Sequence, residues 1–195
     1  MCTNFYCIFD LLFCRCFLGF RTIKPFICQE NLKSIYYSYF HSLMTYGVIF
    51  WGSSTHSIRV FQPQNRVIRI ITKSRPRDSC RQLFKKLGIL PLMSQYMFSL
   101  LLFTVNNKAL FQMNFEIHSI NFSSTTCHFD NIQNGTYYTG IKVFNYLPTH
   151  IKNLSHNVNQ FRLALRDFRH FHSFYTSEEY FKSIGIVNKY VFFVE

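Results

Sequence analysis

Apolar side chains recur at helical spacing along most of this chain, and that periodicity is the strongest constraint on its fold. From Leu32 to Phe50 they follow the i, i+3, i+4, i+7 pattern of an amphipathic helix. The members of this apolar stripe are Leu32, Ile35, Tyr36, Tyr39, Phe40, Leu43, Tyr46 and Phe50. Gly52 is a natural residue for the end of such a helix. We predict a helix over about 32–51. Its uncharged part also fits a membrane helix, but polar side chains interrupt the run and favour packing in a core.

The composition supports the helical prediction. Among 195 residues there are only 7 glycines and 5 prolines, so the chain has few residues suited to tight turns. A many-stranded β fold needs such turns, whereas 48% hydrophobic residues suffice for a helical core. We therefore predict an all-α fold, made of two small helical lobes joined by an irregular linker.

A basic helix is predicted at about Ile58–Lys73. Pro63 complicates its first turns, so the regular part is expected to begin at Pro63 or Gln64. On a helical wheel one narrow arc is cationic and the opposite side is apolar. The cationic arc holds Arg66, Arg69 and Lys73, and the apolar side is expected to hold Val67, Ile70 and Ile71.

Capping patterns place two further helices after the loop 74–78. Ser79 and Gln82 form a capping-box pattern that predicts a short helix over Cys80–Leu87, and Gly88 should end it. Pro91 suits the first turn of the next helix, Pro91–Asn106. That helix is apolar on most sides, so we interpret it as the central core element.

The second half of the chain begins with a polar, irregular stretch. We predict a linker over 107–134, a helix near 136–146 ended by Pro148, and a helix over Val158–Phe171. Asn157 with Gln160, and Thr176 with Glu179, form capping-box patterns for the last two helices. The predicted organisation is an extension at 1–28, lobes at 29–106 and 135–183, a linker at 107–134 and a tail at 184–195.

Cysteine spacing and known motifs argue against a metal site or an enzyme. The 7 cysteines include no C-x-x-C pair, which favours reduced thiols in an intracellular protein over a zinc site. The sequence contains no G-x-S-x-G, H-E-x-x-H, P-loop or G-x-G-x-x-G pattern. A hydrolase pairing Cys80 with a histidine remains an alternative. We expect no metal, no cofactor and no small-molecule substrate.

Positive charge is the chemical feature that remains. There are 21 basic and 9 acidic residues, a formal charge of +12, and such a surplus favours a polyanionic partner. Solvated helix faces and biased composition give similar patterns. The residues expected to contact phosphates are Arg66, Arg69, Lys73, Arg75, Arg77, Arg81, Lys85, Lys86, Arg162, Arg166 and Arg169.

Three ordered stretches of sequence carry a family resemblance. The first stretch holds His41-Ser42, Tyr46-Gly47, Trp51-Gly52, Gln64–Ile71 and Ser79–Lys85. The second holds Tyr138–Pro148, Ile151, Lys152 and Leu154. The third holds Asn159–Leu165, His172–Tyr175 and Glu178–Phe181. Together they resemble the region that follows the polymerase core in non-LTR retrotransposon reverse transcriptases of the jockey type. The chain departs from that family at Asn121-Phe122-Ser123, where the family has Asn-Thr-Arg.

The resemblance implies a piece of a polymerase, its thumb and C-terminal extension, that grips template RNA or target DNA. The family's catalysis needs two adjacent aspartates in a Tyr-x-Asp-Asp turn, with a third nearby to bind metal ions. This chain has four aspartates, none of them adjacent: Asp10, Asp78, Asp130 and Asp167. We therefore expect no polymerase reaction, and as partners RNA or DNA, bound through phosphates, and the missing polymerase core.

The apolar N-terminus lies outside the resemblance. Asp10 and Arg15 interrupt the run 5–20, and no basic residue precedes it. This pattern matches neither a signal peptide nor a confident transmembrane span. We interpret residues 1–24 as a chance reading frame upstream of a truncated element.

Two other interpretations remain open. A small helical membrane-associated protein would use the apolar stretches 5–20, 35–51 and 92–105. Such a protein concentrates Lys and Arg in loops beside its spans, whereas here arginines share helices with apolar residues. A degenerate copy with no selected function would carry the same sequence features.

Overall fold

The computed structural model describes residues 2–107, 131–171 and 174–183. Side chains of 2–10, 131–134, 137 and 169–171 lie outside that description. Contacts divide the chain into two compact units, Met1–Tyr96 and Met97–Glu195, with the boundary inside one helix. Every element among the described residues is helical and none is a strand, which confirms the all-α prediction.

The helices of the first half are, in order, α1 Cys2–Ile23, α2 Gln29–Ile35, a π-helix Tyr36–His41, α3 Ser42–Thr45, α4 Val48–Trp51, α5 Ser57–Ile71, α6 Cys80–Leu87 and α7 Leu92–Asn106. The bounds of α6 agree with the sequence prediction, and α7 begins one residue after Pro91. Helix α5 is regular from Ser57 and contains Pro63, so the expected late start at Pro63 is wrong.

The single helix expected over 32–51 is interrupted. Gly47 adopts φ +60, a left-handed conformation that favours glycine, and separates α3 from α4. The buried stripe runs mainly in steps of four, through Leu32, Tyr36, Phe40, Met44, Val48 and Trp51. Four residues overshoot a turn of an α-helix by about 40°, and the wider π-helical turn offsets part of that drift.

The π-helix also changes which aromatic side chains are buried. Tyr39, Tyr46 and Phe50, all expected in the apolar stripe, are 65%, 71% and 55% exposed. Trp51 is buried, and its indole N–H donates to the carbonyl of Tyr46 at 2.9 Å. Leu32, Tyr36 and Phe40 of the expected stripe are buried, so its first part is confirmed. Beyond Phe40 the buried positions are Met44, Val48 and Trp51, so the expected burial of Tyr46 and Phe50 is wrong.

The N-terminal helix α1 is part of the first unit's core. It packs against α5 and the π-helix, and Phe13 and Phe20 are buried. The rings of Phe13 and Phe40 have centroids 4.8 Å apart. The expectation of an apolar extension beside the first lobe thus missed a core helix; whether 1–24 is a chance reading frame stays a prediction.

The two ends of α6 differ in how well the sequence predicts them. At the C-terminal end, Gly88 has φ +64, its N–H donates to Lys85 O, and Ile89 N–H donates to Phe84 O. This pair of bonds is a Schellman motif. At the N-terminal end, the described Ser79 side chain makes no capping hydrogen bond, so the capping box expected with Gln82 is not formed.

The second unit contains short helices around a small aromatic core. After the part of α7 from Met97 on, its described helices are α8 Asn131–Tyr146, α9 Thr149–Asn153, a 3-10 helix Leu154–His156, α10 Val158–Phe171 and α11 at 177–183. Helix α8 begins inside the predicted linker, and 108–130 lie outside the described residues. Phe161, Leu165 and Tyr180 are buried, and Tyr180 donates its hydroxyl proton to Val143 O at 2.8 Å.

Capping in the second unit follows the sequence closely. The Asn157 side chain accepts from the N–H of Asn159 at 3.1 Å and of Gln160 at 3.4 Å. Thr176 Oγ1 accepts from Glu179 N–H, and Glu179 Oε2 accepts from Tyr175 N–H. Both predicted helix starts are confirmed, because side-chain oxygens satisfy the first amide groups of each helix.

Candidate nucleic-acid interface

A basic groove runs along the first unit between α1, α5 and the turn after α5. Its volume is about 570 Å³, and its lining residues are Phe17, Arg21, Lys24, Arg66, Arg69, Ile70, Ser74 and Pro76. We call it the basic groove. Four of the eight side chains are cationic, and no carboxylate lines this part of the described chain. The local field therefore attracts a polyanion.

Helical spacing places these side chains on the two walls. Residues three and four apart share a helix face, so Phe17, Arg21 and Lys24 line one side of α1 and its C-terminal end. Arg66 and Arg69 do the same on α5. Ile70, expected to pack on the opposite side of α5, lies in the groove beside them, which corrects the predicted wheel.

Arg66 is held against an aromatic ring. Its guanidinium carbon lies 5.8 Å from the centroid of the Phe17 ring. A cation–π contact at an exposed site is worth about 0.5–1 kcal/mol. The contact is weak, but it orients a planar cation toward the groove.

Arg69 is anchored to the turn that follows α5. Its Nε donates to Asp78 O at 3.0 Å, while Asp78 Oδ2 accepts from Arg75 N–H at 2.8 Å. Asp78 N–H in turn donates to Arg75 O at 3.1 Å. The Asp78 carboxylate thus closes the turn, and its carbonyl holds Arg69 beside the groove.

The other cations near α5 stand apart from the groove lining. Lys73 lies beyond the end of α5 with φ +56, so the helical arc predicted for it with Arg66 and Arg69 is wrong. Arg75 and Arg77 are exposed in the turn. These three side chains are near the groove in sequence, but only Arg66 and Arg69 of the predicted set line it.

The cations of α6 and α10 occupy separate surfaces. Lys85 and Lys86 are exposed in the last turn of α6, where positive charge also stabilises the helix terminus. Arg81 is half-buried. On α10, Arg162 and Arg166 are exposed, and the Arg169 side chain lies outside the described residues.

Sequence reasoning missed the α1 side of the groove. Phe17, Arg21 and Lys24 were set aside with the N-terminal extension, although Phe17 and Arg21 have the i, i+4 spacing of one helix face and Lys24 follows the end of α1. That spacing was the available signal. The pairing of α1 with α5 depends on long-range packing, which the local pattern does not encode.

A second groove on α1 is mainly apolar. Its volume is about 650 Å³, and α1 contributes Leu12, Arg15, Cys16, Gly19, Phe20 and Ile23 to the lining. Across it, the Ser38 and Ser42 hydroxyls donate to carbonyls one turn earlier, at 2.7 Å each. Burial raises the pKa of the Cys16 thiol, which disfavours the reactive thiolate.

A metal site and a hydrolase that pairs Cys80 with a histidine are the two chemical alternatives. No group of three or more His, Cys, Asp or Glu is placed there to hold a metal ion. Burial raises the pKa of the Cys80 thiol despite the nearby Arg69 guanidinium, which lowers it, and Cys80 Sγ donates to Asn65 O at 3.5 Å. A raised pKa disfavours the thiolate, which is the nucleophilic form of cysteine.

The membrane alternative depends on helix length and apolar character. Within the described chain, none of the individual helices has the length and hydropathy of a membrane span. The pair α6 and α7, bent by 51° at the break between them, meets that criterion jointly.

The fold and groove define a small helical protein with a basic, partly aromatic groove. Comparisons with protein-family models, with curated proteins and with solved structures find no match to this chain.

Proposed function

We propose that this chain is a non-catalytic, nucleic-acid-binding fragment of a non-LTR retrotransposon reverse transcriptase. It contacts RNA or DNA through phosphates. The observation that carries the proposal is the basic groove, where two helices distant in sequence bring four cations to one surface. Phosphate contacts by Lys and Arg release counterions and give affinity that is independent of sequence.

Residues that carry the family resemblance have structural roles in the first unit, which supports the family assignment. Gly47 adopts φ +60 between two helices. A Cβ at Gly52 would overlap the Tyr96 ring and approach Val48 O to 2.7 Å. Trp51 ties this turn to the carbonyl of Tyr46. A common fold would require such residues at these positions.

The local surroundings of Asp78 and Asp167, the two aspartates whose side chains the structure describes, are compatible with a non-catalytic role. Asp78 is used in the turn after α5, and Asp167 is an exposed neighbour of Arg166, with 4.0 Å between Oδ1 and Nε. Two-metal catalysis needs carboxylates that converge on one site. In the proposed parent protein the polymerase core, which is the expected partner of this fragment, supplies that chemistry.

A salt titration tests the proposal. Fluorescent single-stranded RNA is titrated with wild type and with a triple variant, R66Q/R69Q/K73Q, at several salt concentrations. For single strands each lost phosphate contact removes about 0.7 from the slope of log affinity against log salt. We expect a negative slope for wild type, a shallower slope for the variant, and equal weakening for unrelated sequences.

The matched control is R15Q/K33Q/K182Q, which removes the same formal charge outside the predicted contacts. It should keep the wild-type slope. Circular dichroism checks that both variants are folded, because Arg69 also holds the turn at Asp78. Wild-type protein that binds neither RNA nor DNA in a salt-dependent way would contradict the proposal.

A further inference from the structure

The basic groove has the volume of a site for a nucleotide-sized ligand. We propose that it binds single-stranded RNA or DNA in preference to a double helix, with α1 supplying half of the phosphate contacts. This inference rests on the proposed function and specifies its substrate class. It also assigns a binding role to Phe17 and Arg21, which lie outside the family resemblance, and to Lys24.

The volume argues for a single strand. At about 570 Å³ the groove falls within the range of about 300–1,000 Å³ that small-molecule sites occupy. A base with its sugar and phosphate is an object of that class. A groove of this volume cannot enclose a double helix.

The lining argues in the same direction. Phe17, Ile70 and Pro76 place apolar surface between the cations. A duplex keeps its bases stacked inside and presents phosphates, so it gains little from this surface. An unpaired base has exposed faces that stack on aromatic rings and on guanidinium planes. The Phe17–Arg66 pair, 5.8 Å apart, places one ring and one guanidinium in the same groove.

The cations are divided equally between the two walls. Arg21 extends from α1 and Lys24 from the turn directly after it, whereas Arg66 and Arg69 extend from α5. Consecutive phosphates of a strand in the groove are therefore neutralised from both sides. Removing either wall's charges should weaken single-strand binding, although α1 and α5 are separated by more than thirty positions in sequence.

The test measures affinity by fluorescence anisotropy for a short RNA, the DNA of the same sequence, and the duplex of each. Three proteins are compared with wild type. R21Q/K24Q removes the α1 charges, F17L removes the ring but keeps an apolar side chain, and K85Q/K86Q removes the same charge as R21Q/K24Q outside the groove. Circular dichroism and thermal unfolding confirm that each is folded.

We expect wild type to bind single strands at least tenfold more tightly than duplexes. R21Q/K24Q should lower single-strand affinity by about tenfold and reduce the salt slope by about 1.4, twice the value per contact. F17L should lower the same affinity about tenfold without changing the slope, because stacking releases no counterions. K85Q/K86Q should weaken single strands and duplexes by equal factors.

Two failures are distinguishable. Equal wild-type affinity for single strands and duplexes, or a loss in R21Q/K24Q no greater than in K85Q/K86Q, overturns the single-strand inference and leaves nucleic-acid binding intact. Absence of salt-dependent binding to all four nucleic acids overturns the proposed function and the inference with it.

Discussion

Gln64 is fully buried, and both polar atoms of its side chain are hydrogen-bonded. Its Nε2 donates to the hydroxyl of Tyr36 at 2.9 Å and to Leu90 O at 2.8 Å, and its Oε1 accepts from Leu92 N–H at 2.9 Å. One amide thus joins α5, the π-helix and the start of α7. Buried polar groups with full partners fix one arrangement of the elements around them.

Replacing Gln64 should therefore be costly. In Q64L the Leu92 N–H and Leu90 carbonyl lose their partner, and each buried unsatisfied group costs about 1–3 kcal/mol. We expect the free energy of unfolding to fall by about 3 kcal/mol, measured by urea denaturation. Q82L, at an exposed position of α6, is the control and should change stability by less than about 0.5 kcal/mol. A loss below about 1 kcal/mol in Q64L would refute the role assigned to the network.

Two buried phenols predict how stability responds to alkali. Burial raises the pKa of Tyr36, against a lowering contribution from its bond to Gln64, and burial likewise raises the pKa of Tyr180. In the unfolded chain both titrate near the ordinary value of about 10. Their contribution to stability is present below about pH 10 and is lost above it, by up to about 1.4 kcal/mol per pH unit for each phenol.

The measurement is urea denaturation over a series of alkaline pH values, with tyrosinate absorbance followed in parallel. Tyr36 and Tyr180 should titrate only as the protein unfolds. A folded protein in which every tyrosine ionises near pH 10 would show that these two phenols are not protected.

At the scale of the helical elements, the sequence predicted where helices begin and end better than where a helix is interrupted. The stop at Gly88 and the starts after Asn157 and Thr176 depend on bonds within a few residues, so the sequence reveals them. The break at Gly47 was not predicted, because Tyr46 and Phe50 continue the apolar pattern across it. The π-helix depends on packing of Tyr36 and Phe40 that local spacing does not encode.

For the same reason, only two of the four cations of the basic groove were predicted from the sequence. Arg66 and Arg69 follow from the basic pattern of α5. Arg21 and Lys24 reach the groove only because α1 packs on α5, a contact between distant parts of the chain. Lys73 was misplaced because α5 ends at Ile71, and a helical wheel drawn past that end has no meaning.

Gly88 and Gly19 differ in backbone conformation, and replacing each with alanine tests the conformation assigned to it. Gly88 has φ +64, where a side chain costs about 1–2 kcal/mol. Gly19 lies inside α1, where an added Cβ would meet no atom within 4 Å, and Ala in a helix interior is favoured over Gly by up to about 1 kcal/mol. G88A should therefore lower the unfolding temperature and G19A should raise it, measured by calorimetry. Shifts of the same sign would contradict the assigned conformations.

At the scale of the whole molecule, charge and aromatic content act against each other. The chain has a formal charge of +12, with 24 Phe and 12 Tyr, and the cores of its two units bury only some of these rings. The large exposed aromatic side chains of the first unit include Phe26, Tyr39, Tyr46 and Phe50. Exposed apolar surface favours association, whereas like charge keeps molecules apart.

Salt should shift this balance toward self-association. Electrostatic interactions extend about 10 Å at 0.1 M salt and about 3 Å at 1 M, so added salt screens the repulsion between copies. We expect sedimentation velocity to show monomer at low salt and growing association at high salt. Nucleic-acid binding should change in the opposite direction over the same range.

The double variant Y39S/F50S removes two exposed rings and keeps the charge, so it should remain monomeric at both salt concentrations with little change in unfolding free energy. Association that persists unchanged in Y39S/F50S would mean that another surface drives it.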